Sequence, residues 1–148
     1  MNTNRWTTTA YTLLRIVTGF LFLQHGGQKL LGWFGGAGGG GGGDLPPLML
    51  VAGVLELVGG TLIMLGLLTR PVAFLLSGEM AVAYFMAHFP NGPLPLQNRG
   101  EAAALFCFIF LLFAAAGAGP VSLDARIRRP TAMRPVHAGG DIGVATGH

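Results

Sequence analysis

Four apolar stretches, each bounded by charge or by Gly/Pro clusters, run roughly over residues 10–31, 48–68, 71–89 and 102–118. Each is close to the ~20 apolar residues that a helix needs to cross the hydrocarbon core of a bilayer. A chain with this pattern reads as an integral membrane protein. Its composition agrees: 51% of residues are hydrophobic, 10% are charged, and 25 of the 148 are glycine, a residue better tolerated in membrane helices than in soluble ones. The stretches are rich in Leu, Ala, Phe and Met and lack the ten-residue in/out alternation of barrel strands. With every backbone polar group needing an internal partner in lipid, the expected fold is an all-α membrane protein, a four-transmembrane-helix bundle.

Four spans and short loops occupy residues 1–124 as one domain and leave no room for a soluble catalytic domain. Beyond Asp124 the chain is Arg-rich and then Gly-rich, so residues 125–148 are expected to form a disordered cytoplasmic tail. The N-terminus is not read as a cleaved signal: Arg15 interrupts the first apolar run, and no small-x-small site precedes a soluble start.

Orientation follows from Lys and Arg. With both termini cytoplasmic, the inner side collects Arg5, Arg70, Arg126, Arg128, Arg129 and Arg134, against Lys29 and Arg99 outside. The basic balance then reflects topology and contact of tail arginines with lipid headgroups. No constellation of basic and aromatic residues points to a nucleic-acid partner. The implied location is the bacterial inner membrane, crossed several times.

The connections differ in character. Gly35 to Gly43 reads as a flexible external loop, with Pro46 and Pro47 marking a firm helix start. Thr69-Arg70-Pro71 predicts a tight cytoplasmic turn, with Pro71 opening the third helix and spans two and three antiparallel. Pro90 to Asn98 has three prolines in six residues and is expected to be a stiff, non-helical cap over the bundle mouth.

Polar residues inside spans are costly and mark functional candidates. Arg15, Phe22, His25 and Lys29 share one stripe of the first helix. Glu56 lies between Gly53 and Gly60, small residues that let a neighbouring backbone approach, so it should face the bundle. Counting ~1.5 Å of rise per residue along alternating helices gives two polar layers. Arg15, Glu56 and Glu79 form an inner, buried polar network; His25, Gln28, Lys29, His88 and Glu101 gather toward the outside. One arginine between two carboxylates leaves an excess negative charge, so one Glu is protonated or another cation enters. Glu79 and His88, nine residues apart, fall on opposite faces of an ideal helix, which leaves His88 for the external loop or a subunit contact.

No catalytic residue is identified and no metal site is assigned. His25, His88 and Glu101 come from three helices without a His-x-x-x-His or Glu-x-x-His pair. Cys107, the lone cysteine, sits among Phe106, Phe108 and Phe110 and reads as a small buried apolar residue, excluding an intrachain disulfide or a CxxC centre. Phosphate-loop, nucleotide and haem-attachment motifs are absent.

Several segments in order, Leu14-Arg15-Ile16, His25-Gly26-Gly27-Gln28-Lys29-Leu30, Gly53 to Gly60 around Glu56, Leu67 to Pro71, Gly78-Glu79-Met80 and Asn98-Arg99-Gly100-Glu101, resemble the DoxX family of small bacterial membrane proteins. The likeness runs over about residues 11 to 124 and departs only in the length of the glycine loop and in the tail. It implies an accessory subunit of a membrane redox complex, quinone-linked or respiratory, since DoxX-like proteins are linked to thiosulfate:quinone oxidoreductase, to terminal oxidases and to thiol or oxidative stress. Carried onto this chain, it implies no intrinsic cofactor and a candidate quinone or small-molecule site at His25, Gln28, Lys29 and Glu101, with Glu56 and Glu79 as a proton route. The expected partners are the bilayer and other membrane subunits or further copies of the chain. Two other classes remain open: a small proton-coupled transporter, and a structural, lipid-contacting assembly subunit.

Overall fold

The computed structural model describes residues 3–36 and 45–128. Residues 1–2, the Gly-rich stretch 37–44 and the tail from 129 onward, the last two expected to be a flexible loop and a disordered segment, lie outside the described residues. Among those described the chain is entirely helical or turn, with no strand: α1 (Thr3–Leu31), α2 (Pro47–Leu65), α3 (Thr69–Asn91), a short α4 (Pro95–Asn98), α5 (Glu101–Ala116) and α6 (Leu123–Ile127). Helices α2 and α3 are long and apolar enough to cross a membrane, while α5 is apolar but shorter.

Local chemistry fixes most boundaries. Pro47 opens α2, where its missing N–H would have no helical partner anyway. The helix stops at Leu65, before the expected 68, because Gly66 adopts a left-handed φ of 69° and the N–H groups of Gly66 and Leu67 turn back to Ile63 and Leu62. Pro71 does not open α3: Thr69 does, and Pro71 sits within the same first turn. The segment expected to be a non-helical cap contains a single-turn 3₁₀ helix at Phe89–Asn91 and then α4, whose first residue, Pro95, suits a helix start. Ser122 accepts a hydrogen bond from the Ala125 N–H and starts α6, so the chain stays ordered a few residues past Asp124.

Two pairs of helices make the bundle, α1 with α2 and α3 with α5. The first pair approaches backbone to backbone. A Cβ placed on Gly26 would lie 2.4 Å from the Leu57 nitrogen, and one on Gly60 would lie 2.6 Å from the Leu23 nitrogen. Gly53 and Gly60 thus make the close approach expected of them, matched by Gly19 and Gly26 across the interface. The core between pairs is aromatic: Phe22 of α1 meets Phe106 and Phe110 of α5 at ring-centroid distances of 5.3 and 4.7 Å. Large apolar side chains remain exposed along the outward faces, among them Val17, Phe20, Val58, Phe74, Leu75, Phe108 and Leu112. Such a surface is unsuited to water and suited to lipid.

Neither α2 nor α3 is α-helical throughout. Each contains one π-helical turn, over Leu55–Gly59 and Tyr84–His88, and such turns concentrate at functional positions.

Candidate functional site

The N-terminal half of α1, the end of α2, the start of α3 and the segment after α5 converge at one end of the bundle. There Arg15, 1% exposed, donates to the carbonyls of Ile63 (2.6 Å) and Met64 (2.7 Å) at the end of α2 and of Val121 (2.7 Å). The Ile63 and Met64 carbonyls lie in the last turn of α2, where intrahelical donors run out, and the negative end of the α2 dipole favours the guanidinium. Asp124 does the converse for α3. Its carboxylate accepts the Leu68 N–H at 2.9 Å and the Thr69 N–H at 3.0 Å, at the positive end of that helix. Burial opposes its ionisation, but those two backbone donors and the nearby Arg128 outweigh it and hold the carboxyl below its ordinary range.

This arrangement corrects the expected network of Arg15, Glu56 and Glu79. Arg15 belongs to the helix-terminus cluster, and Ile63, its partner, is seven residues or roughly 10 Å along α2 from Glu56. The cation that meets Glu56 is Lys29, whose Nζ contacts both carboxylate oxygens. Glu56 is 3% exposed and sits inside the α2 π turn. Glu79 of α3 completes the centre: its charged neighbours are Glu56 and Lys29, and both of its oxygens are buried without a hydrogen-bond partner. The inner polar group is therefore Lys29–Glu56–Glu79, one helix apiece from α1, α2 and α3.

The expected outer group divides. His25 and Gln28, with Leu21, Gln24, Phe34 and Phe106, line an open groove of about 270 Å³ on the α1 flank, where the His25 ring stands edge-on to Phe106. Lys29 faces the other way, into the bundle. Glu101, the first residue of α5, is exposed and makes no hydrogen bond or ion pair among the described residues. His88 serves the loop between α3 and α5, its Nδ1 lying 3.1 Å from the Asn98 carbonyl. Two of the four residues assigned to a single pocket share one; Lys29 and Glu101 do not join them.

Asn98, not singled out from the sequence, ties that loop together. It donates to the Gly92 carbonyl (2.7 Å) and the Tyr84 hydroxyl (3.3 Å) and accepts the Gly100 N–H (2.7 Å). Its signal was an Asn in a Pro/Gly segment, where Asn side chains bond nearby backbone. Cys107 is half-buried and contacts Ser77, whose hydroxyl donates to the Cys107 carbonyl at 2.9 Å. Among the described residues no group of three His, Cys, Asp or Glu side chains is disposed to hold a metal ion.

An all-helical bundle, apolar outside and carrying a lysine and two carboxylates inside, defines a small membrane protein with a buried charged centre. The comparisons name the class more closely. Residues 10–89 match the DoxX family, and the chain belongs to it. It is 44% identical over 114 residues (75% of this chain, 85% of the relative) to an uncharacterized protein of Haemophilus influenzae. It is 41% identical over 113 residues (76% and 82%) to the Bacillus subtilis protein named "Putative oxidoreductase CatD". A Mycobacterium tuberculosis relative described as an uncharacterized membrane protein is 32% identical over 136 residues (80% and 82%). No solved structure matches the chain.

Proposed function

We propose that this DoxX-family membrane protein is an accessory subunit of a membrane redox complex in the bacterial inner membrane, contributing a polar intramembrane centre and a groove for a quinone headgroup. In this reading α1, α2, α3 and α5 each cross the bilayer, and both termini lie in the cytoplasm. The polar residues that lower the hydropathy of α1, Arg15 and Lys29, point into the bundle, while Val17, Phe20 and Leu21 face outward. At 16 residues α5 spans roughly 24 Å, a length that local thinning of the bilayer accommodates. The Arg15 end of the bundle carries Arg5, Arg70, Arg126 and Arg128, which supports its cytoplasmic placement.

The observation that carries the redox reading is the groove beside His25. Its imidazole and the amides of Gln24 and Gln28 supply hydrogen-bond donors for a carbonyl oxygen, and Phe34, Phe106 and Leu21 supply the apolar wall a quinone ring needs. The quinone, when bound, would supply the two-electron redox chemistry; the residues of this chain would bind and orient its headgroup. Electrons must come from partner subunits. The relative named as an oxidoreductase supports the same direction.

A second reading, proton-coupled transport, is favoured by one observation: Glu79 inside the bundle with neither oxygen satisfied. Mild extraction from the native membrane, followed by mass spectrometry of co-purifying proteins and quinones, separates the two. The redox reading expects haem, flavin or iron–sulfur subunits, together with quinone that is lost in His25→Ala/Gln28→Ala. Recovery as a cofactor-free oligomer would favour transport or a lipid-contacting structural role.

A further inference from the structure

Among the described residues, Glu79 alone has both terminal oxygens buried and unpartnered. An ionised carboxylate in that state costs several kcal/mol, and a folded membrane protein avoids it by pairing the group or neutralising it. Pairing is already spent elsewhere. The Lys29 ammonium is held by both oxygens of Glu56, so lysine and Glu56 cancel, and an ionised Glu79 would leave the centre with a net negative charge in an apolar bundle.

The elements packed around Glu79 supply nothing further. Among the described residues the charged groups near enough to act on it are Lys29 of α1 and Glu56 of α2. On α3 itself Ser77, two residues earlier, gives its hydroxyl to the Cys107 carbonyl of α5. Glu56 also lies within a π turn, a departure from regular α-helical bonding that recurs at functional positions.

We propose that Glu79 is an intramembrane proton-binding site: it rests as the neutral acid beside the Lys29–Glu56 pair and gives up its proton when Lys29 moves from Glu56 toward it. The ligand is the proton, and the lysine is the group that gates its release. The proposal stands on the three side chains alone and does not depend on a redox partner.

The test uses the full-length protein in lipid nanodiscs and a membrane-permeant carbodiimide, which adds only to protonated carboxyl groups. The carboxyl oxygen bonds to the central carbodiimide carbon while the acid proton moves to nitrogen, and rearrangement leaves a stable N-acylurea with nothing expelled. At neutral pH, peptide mass spectrometry should find the adduct on Glu79 and not on Glu56. Glu56→Gln frees Lys29 for Glu79 and should reduce Glu79 labelling by about tenfold or more. Lys29→Met removes the shared cation, so Glu79 labelling should persist and Glu56 should become reactive; this variant decides the matter if Glu56→Gln does not fold. An unlabelled Glu79 in folded protein, equal labelling of Glu56 and Glu79 in the wild type, or a Lys29→Met protein with Glu56 still inert would each overturn the proposal. Failure to co-purify with redox subunits would overturn only the redox reading.

Discussion

The two polar clusters of this bundle are built on opposite terms. At the Arg15 end, charge meets backbone: a guanidinium closes the end of α2, a carboxylate opens α3, and both are anchored by short hydrogen bonds to groups the helices leave free. At the Lys29 centre, charge meets charge and the sum does not close, because Glu79 finds no donor. The first cluster puts both of its charged groups to work holding helices together. The second retains polarity that packing does not require, and in a membrane such a residue persists only where it does something else.

The contrast breaks most visibly if Arg15 is removed. Arg15→Met fills the same space with an apolar chain and takes a charged donor away from three carbonyls, so we expect a loss of about 3 kcal/mol or more in unfolding free energy. Thermal melts in detergent followed by circular dichroism would register it. Arg15→Lys should recover only part of the loss, since an ammonium cannot bridge the end of α2 and Val121 as a planar fork does. A melt of the Met variant like that of the wild type would mean that the cluster is ornament and the division drawn above is wrong.

Next in size is the glycine seam that sets how closely α1 and α2 approach both clusters. Gly26→Ala places a methyl 2.4 Å from the Leu57 nitrogen, so the helices must separate, at a cost of about 1–3 kcal/mol. Gly78→Ala is the control. A Cβ there meets nothing within 4 Å, and its effect should be neutral or a gain of about 0.5 kcal/mol from lower backbone entropy. Because Gly26 lies between Arg15 and Lys29, its alanine variant should also weaken the Lys29–Glu56 contact, visible as new carbodiimide reactivity at Glu56.

How much of this was legible in the residues depended on whether the partner was a side chain or a backbone. The Gly53 and Gly60 spacing announced close helix approach, and Glu56 between them had to face inward; both follow from periodicity alone. Arg15 did not yield in the same way. Counting residues estimates height in the membrane but not the partner, and its partners are carbonyls exposed only because Gly66 ends α2 three residues before the apolar pattern does. Lys29 was misplaced for the complementary reason. Its backbone lies near the C-terminal end of α1, but its long side chain turns into the bundle and carries the charge to Glu56. The shared pocket of His25, Gln28, Lys29 and Glu101 split on the same point, since common depth does not fix common direction. Asn98 and Asp124 act through loops, where neither helical period applies.

Asp124 sharpens the comparison at smaller amplitude. Asp124→Asn keeps one acceptor for the start of α3 and loses the charge, which should cost about 1 kcal/mol at neutral pH. Its folded-state affinity for a proton is lowered, so its contribution is complete above the unfolded value of about 3.9 and disappears as pH falls through the folded value. The stability gap between wild type and Asp124→Asn should therefore be level from neutral pH down to about 4 and close below it. A gap that widens on acidification would show that the carboxylate is not what holds α3.

The smallest expected change in stability, at Glu79, carries the most information. Glutamine has the shape and neutrality of a protonated glutamate, so if Glu79 rests as the acid, Glu79→Gln should move the unfolding free energy by no more than about 0.5 kcal/mol. Were the residue ionised and serving the scaffold as Arg15 does, the same substitution would shift stability by several times that amount, because it would change the charge balance around Lys29. The variant also retains assembly while losing the proton, so turnover or proton uptake measured in the native membrane should fall although the protein folds and inserts normally. A residue that can be neutralised without structural consequence, but not without functional consequence, is what separates the Lys29 centre from the Arg15 end.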